Sequence, residues 1–194
     1  MIKLLRDKTR DKFCKLLSDI GLEAEMAERN IIEEKLFNPW HRRSLGIIKI
    51  NSESLIKYIN IIKKPGGKND PPRWWIYFAV PIDTSISKEN YIEVKSIRNK
   101  TFPIFGKVKS INWQHNSYSG NLADIFTKDS DINELAMQLG NIKVQSLHED
   151  FSGYSIELEF TRSLFPLISA PNMSISINQW NTFNKISKLL LQEN

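Results

Sequence analysis

Five short runs in the first 113 residues narrow the possible folds of this 194-residue chain more than any other feature. Each run is dense in Ile, Val, Tyr, Phe and Trp and is bounded by turn-forming residues, which is the pattern of a β-strand. The runs are residues 45–50, 55–62, 73–80, 91–97 and 102–113. Since strands that follow one another in sequence usually pair in space, the runs predict an antiparallel sheet.

Three shorter segments extend this sheet. Residues 22–26, 142–145 and 154–160 alternate apolar and polar side chains. A period of two residues is typical of a strand with one buried face. Together with the five runs, these segments predict a sheet of seven or eight strands.

Helical spacing of apolar residues, three or four apart, marks three other segments. An N-terminal series ends at Gly21, and a central series near residues 131–139 ends at Gly140. A C-terminal series follows Ser176 and Gln179, which have the spacing of a capping box. Each segment is therefore predicted to be a helix.

The predicted fold class is thus α+β, a mostly antiparallel sheet with roughly three helices. A chain of this length is expected to form a single domain, 1–194. The alternative is two lobes sharing one core, a basic one at 1–113 and a near-neutral to acidic one at 114–194. A strand pattern follows the helix both after Gly21 and after Gly140, which indicates either an internal repeat or the common preference for glycine after helices.

No segment approaches the roughly 18 consecutive apolar residues of a membrane span, so no membrane partner is expected. The first ten residues carry four Lys or Arg and lack the apolar stretch of a secretory signal. The lone Cys14 fits a reducing compartment. These features predict a soluble cytoplasmic protein.

Charge is distributed unevenly along the chain. Residues 1–110 hold 22 of the 27 Lys and Arg but 13 of the 22 Asp and Glu, a net of +9, whereas residues 111–194 carry a net of −4. A strongly cationic part favours a polyanionic partner, either nucleic acid or an acidic protein surface. Attraction between the two parts would also permit a homo-oligomer.

A second pattern combines cations with aromatic residues. Residues 63–72 are rich in Gly, Pro and Lys and are predicted to form a long hairpin loop between two strands. Bases stack on aromatic rings for about 1–3 kcal/mol each, and Lys and Arg neutralise phosphates. The candidate nucleic-acid-binding residues are Arg42, Arg43, Lys63, Lys64, Lys68, Arg73 and Trp74.

Two alternatives remain open for this pattern. Trp74 and Trp75 are adjacent on a predicted strand and point to opposite faces, so one of them is expected in the core. The arginines before residue 45 are near Glu28, Glu33 and Glu34 in sequence and could form ion pairs with them.

One segment resembles a catalytic signature. Pro81, Ile82 and Asp83 are followed by Glu93, Val94 and Lys95. This pattern is similar to the PD-(D/E)xK motif of metal-dependent nucleases. The resemblance implies that Asp83 and Glu93 bind Mg²⁺ and that Lys95 is the catalytic lysine.

Strand alternation predicts that Glu93 and Lys95 share one face, as such a site requires. The alternative is that both are solvent-facing residues of a half-buried strand.

Other chemistries find no support in the sequence. The three histidines are isolated, the chain has one cysteine, and no Walker loop or GxGxxG is present. The leading hypothesis is a nucleic-acid-binding protein, and Mg²⁺-dependent cleavage is its sharper version. The alternative is a non-enzymatic protein–protein interaction module.

Overall fold

The computed structural model describes residues 7–31, 43–68, 72–83, 91–101, 107–146, 152–161 and 173–192. The strands in these ranges are β1 (Ala24–Met26), β2 (Arg43–Ile50), β3 (Tyr58–Lys64), β4 (Arg73–Pro81), β5 (Glu93–Lys100), β6 (Val108–His115), β7 (Ile142–Ser146) and β8 (Gly153–Thr161). The helices are α1 (Thr9–Asp19), α2 (Gly120–Lys128), α3 (Ser130–Leu139) and α4 (Ile177–Gln192). The predicted α+β class is confirmed.

All eight strands belong to one sheet in the order β1-β2-β3-β4-β8-β7-β5-β6, and every neighbouring pair is antiparallel. β4 and β8 form the central pair, which runs from Arg73 opposite Thr161 to Pro81 opposite Gly153. Strands from the basic and the acidic parts of the chain therefore share one sheet.

The main core lies between one face of this sheet and the helices. Alternation on β4 directs Ile76 and Phe78 to this face, where Phe78 stacks on Phe183 of α4 with ring centroids 4.4 Å apart. α1 contributes Phe13 to the same core, and α2 contributes Phe126. The opposite face holds a smaller buried cluster of Ile62, Trp75 and Tyr77. β4 is consequently buried on both faces.

Helix ends match the sequence signals. Gly21 follows α1 with φ +92°, a left-handed conformation that glycine adopts without steric cost. The predicted capping box is present before α4, because the Gln179 N–H donates to Ser176 Oγ and the Ser176 N–H donates to Gln179 Oε1. No helix in the described part of the chain is long and apolar enough to cross a membrane.

α2 is the helix that the sequence analysis missed. Leu122, Ala123 and Phe126 are buried and have helical spacing, so a signal was present. The segment begins at Gly120, and glycine is a poor helix former. Packing of these apolar residues on the sheet decides the local structure here.

Candidate nucleic-acid interface

The strand register gathers cationic residues at one end of the sheet. Arg43 lies opposite Lys63, and Lys64 lies opposite Arg73. Arg73 in turn lies opposite Thr161, the last residue of β8. The start of β2, the end of β3 and the start of β4 therefore meet at the same level, and Lys68 lies in the loop that joins β3 to β4.

β5 and β6 reach the same end from the other half of the sheet. Ile142, which lies opposite Leu158, donates its N–H to Ser96 Oγ over 2.7 Å. Because Ser96 is thus level with Leu158, the end of β5 four residues later reaches past the level of Thr161. We call this set the cationic rim: Arg43, Lys63, Lys64, Lys68, Arg73, Arg98, Lys100, Lys107 and Lys109.

The cationic rim extends across most of the sheet. From β2 to β6 there are six inter-strand steps, which at about 4.8 Å each span about 29 Å. Five of its side chains are exposed: Lys64, Lys68, Lys100, Lys107 and Lys109. These lysines lie in the β3–β4 part and in the β5–β6 part of the rim, so both parts are accessible to a large partner.

In the described part of the chain, Asp7 and Glu159 neutralise part of the rim. Lys63 Nζ lies 2.8 Å from Asp7 Oδ2, and Arg73 Nη1 lies 3.3 Å from Glu159 Oε1. Burial raises the pKa of the Asp7 carboxyl, but hydrogen bonds from Lys63 and Thr9 outweigh burial and lower this pKa to about 2. Asp7 is thus ionised at neutral pH and neutralises Lys63.

The tryptophan of the predicted interface is buried. Trp74 keeps 3% of its surface exposed and faces the main core, while Trp75 keeps 5% and faces the second cluster. Lys63 Nζ lies 5.2 Å from the centroid of a Trp74 ring, so the indole interacts with a cation of its own chain. Trp74 is consequently not available for base stacking, which corrects the prediction.

The other predicted residues of the interface lie at the rim or outside the described residues. Lys63, Lys64, Lys68 and Arg73 belong to the rim. The backbone of Arg43 lies at the start of β2, opposite Lys63 of the rim. Arg42 lies outside the described residues.

The nuclease-like residues do not assemble as the resemblance implies. Glu93 and Lys95 share the face opposite the main core, while Val94 between them is fully buried. The Glu93 carboxylate accepts a hydrogen bond of 2.8 Å from Tyr91 Oη and lies 2.9 Å from Lys143 Nζ. Burial raises the pKa of Glu93, but these two partners outweigh burial and hold it below its usual value.

Asp83 follows the end of β4, whereas Glu93 begins β5. β8 and β7 lie between these strands, so three inter-strand steps of about 4.8 Å separate them by about 14 Å. Within the described ranges, no cluster of three or more His, Cys, Asp or Glu is placed to hold a metal ion. The sheet order therefore does not bring Asp83 to Glu93 as a shared Mg²⁺ site.

The rim residues of β5 and β6 were not among the residues predicted from the sequence. A signal was available, since residues 94–123 contain no Asp or Glu but include Lys95, Arg98, Lys100, Lys107 and Lys109. Their position beside the first cationic group depends on the sheet order, which local sequence does not encode.

The chain was compared with protein-family models, with curated proteins and with solved structures, and none of them matches. The candidate interface therefore stands on its geometry and charge alone.

Proposed function

We propose that this protein binds nucleic acid through the cationic rim, by contacts to phosphates. The observation that carries the proposal is the strand register, which aligns the rim positions of five strands and two loops along about 29 Å of one sheet end. Lys and Arg that neutralise phosphates release counterions, and this release supplies most of the affinity of sequence-independent binding.

Duplex is the expected form of the nucleic acid. Single-strand binders use exposed aromatic rings for base stacking, and Trp74, the aromatic residue of the sequence-predicted interface, is buried. A duplex needs mainly charge, and at 3.4 Å per base pair the rim would follow about eight base pairs. Weak sequence preference follows, because phosphate contacts carry no direct sequence information.

Cleavage forms no part of the proposal. Asp83 follows β4 and Glu93 begins β5, and two other strands separate β4 from β5. The Glu93 carboxylate is also engaged by Lys143 and Tyr91. The proposed function is therefore binding of nucleic acid without cleavage.

The first test is the salt dependence of duplex binding, measured by fluorescence anisotropy with a labelled duplex of about 20 base pairs. Affinity should fall steeply as salt rises, with a slope of log K against log salt of about −0.9 per phosphate contacted. A slope near zero, or no binding at low salt, would refute the proposal.

The second test removes charge from the rim. The double variant Lys68→Gln, Lys100→Gln should weaken binding and reduce the magnitude of the salt slope by about 2, since each lysine contributes about one phosphate contact. The matched control is Lys57→Gln, Lys188→Gln, which removes the same charge beside Pro81 at the opposite end of the sheet. Equal losses in both double variants would show that total charge, not the rim, determines binding.

A further inference from the structure

Among the described residues, nothing pairs with the outer edge of β6. β6 is the last strand of the described sheet, where its partner is β5. The opposite edge strand, β1, has three residues, and short edges of that kind limit pairing with other chains. β6 has eight residues, and neither proline nor a carboxylate occurs within it.

The register shows which backbone groups face outward. The Asn116 N–H donates to the Glu93 carbonyl, so residues 93 and 116 form a hydrogen-bonded pair. In an antiparallel ladder such pairs recur every second residue, so Gln114 and Asn112 also form hydrogen-bonded pairs with β5. Their N–H and C=O groups therefore point toward β5. The intervening residues, Ile111 and Trp113, direct theirs to the open side.

The open side can accept another strand, because its outward N–H and C=O groups, at every second residue, can form hydrogen bonds with the backbone of an extended segment. The side chains of Ser110, Asn112 and Gln114 on the face opposite the main core are exposed, uncharged and polar. They would not repel a neighbouring strand of the same composition.

We propose that β6 pairs antiparallel with β6 of a second copy of this chain, about a twofold axis at Asn112. This register pairs residues 109–115, all of which belong to β6. It places Ile111 opposite Trp113 of the second copy, and both residues direct their N–H and C=O groups to the open side, so the pair can exchange two backbone hydrogen bonds. The β5–β6 register shifts between Val108 and Ser110, so this irregularity falls at the end of the proposed pairing, at Lys109.

Charge favours the antiparallel arrangement with a second copy. The start of β6 belongs to the cationic rim, whereas Gln114 near its end and Asn116 just after it are uncharged. Antiparallel pairing sets the start of one β6 beside the end of the other, so the two rims lie at opposite ends of the joined sheet. Tyr118, which is 62% exposed, follows β6 and would lie near Lys107 of the second copy, where a cation–π contact can form.

Two observations test the pairing. Sedimentation velocity of the unmodified chain should show a dimer that dissociates on dilution, with a Kd of about 1–100 µM for so small an interface. A chain that stays monomeric up to about 100 µM would overturn the proposal.

Cross-linking tests the register. At the axis, Asn112 faces its own symmetry mate in a non-hydrogen-bonded pair with Cα atoms about 4.5 Å apart, which a disulfide can bridge. Asn112→Cys should therefore form a dimer in oxidised glutathione, which accepts the two electrons and two protons released by the thiols. The native Cys14 is buried and offers little competition.

The matched control is Gln114→Cys. Its side chain lies on the same face, but in this register its symmetry mate is four residues away, about 13 Å along the strand. Cross-linking of Asn112→Cys without cross-linking of Gln114→Cys supports the pairing. Equal yields, or none from Asn112→Cys, would overturn it. Neither outcome depends on nucleic acid, so failure here leaves the proposed function standing.

Discussion

Substitution of Gly46 by alanine should strongly destabilise the protein, for two reasons that can be measured separately. Gly46 lies in the irregular part of β2, between Ser44 and Ile47, and has φ +108°. An L-residue with positive φ costs about 1–2 kcal/mol. A Cβ at this position would also lie 2.2 Å from Nη1 and 2.9 Å from Cζ of Arg10.

Arg10 cannot move aside without loss. Its side chain is 6% exposed, and Nη1 donates to the Ala27 carbonyl over 3.3 Å. Displacing a charged group from a buried hydrogen bond costs about 1.5–3 kcal/mol. The two contributions together predict that Gly46→Ala lowers the free energy of unfolding by about 2.5–5 kcal/mol.

Two glycines provide matched controls in urea denaturation. Gly21 has φ +92°, but an added methyl group there would have no atom within 4 Å, so Gly21→Ala measures the backbone cost alone. Gly67 has neither positive φ nor a close neighbour, and Gly67→Ala should leave stability unchanged or raise it by up to about 1 kcal/mol. In an Arg10→Ala background, the cost of Gly46→Ala should fall to that of Gly21→Ala. If Gly46→Ala costs no more than Gly21→Ala in the unmodified chain, the steric argument is refuted.

Two further predictions concern polar contacts. The folded-state pKa of Asp7 is about 2, below its usual value of 3.8. The ion pair between Asp7 and Lys63 therefore stabilises the protein above about pH 4. This stabilisation is lost as the pH falls toward 2. Urea unfolding should therefore show Asp7→Asn less stable than the parent at pH 7 but equal to it near pH 2; a constant difference would contradict this. Ser96→Ala leaves the buried Ile142 N–H without its acceptor and should lower the free energy of unfolding by about 1–3 kcal/mol in the same assay. Ser110 is exposed, so Ser110→Ala should lower it by less than about 0.5 kcal/mol. Equal costs for the two serines would contradict the assignment.

Local patterns predicted most of the strands, because burial of one face imposes a two-residue period that is visible in the sequence. Residues 154–160 alternate cleanly and form most of β8. The predicted run at 102–113 was less accurate, since β6 begins at Val108 and residues 102–106 lie outside the described part. α2 was missed because its helical spacing follows a glycine.

Part of the candidate interface was also predictable. Lys63, Lys64 and Arg73 flank one hairpin, so closeness in sequence implied closeness in space. The burial of Trp74 was not predictable from strand alternation, which shows that adjacent tryptophans face opposite sides but not that both sides of β4 are covered.

Strand positions, most helix ends and the excess of cations follow from the amino-acid sequence, because each depends on neighbours a few residues apart. The order of the strands belongs to the tertiary structure. It inserts β8 and β7 between β4 and β5, which separates Asp83 from Glu93 and carries Arg98 and Lys100 to the same sheet end as Arg43. The physical reason is that pairing between distant strands is chosen by the packing of a whole core, and no local period records that choice.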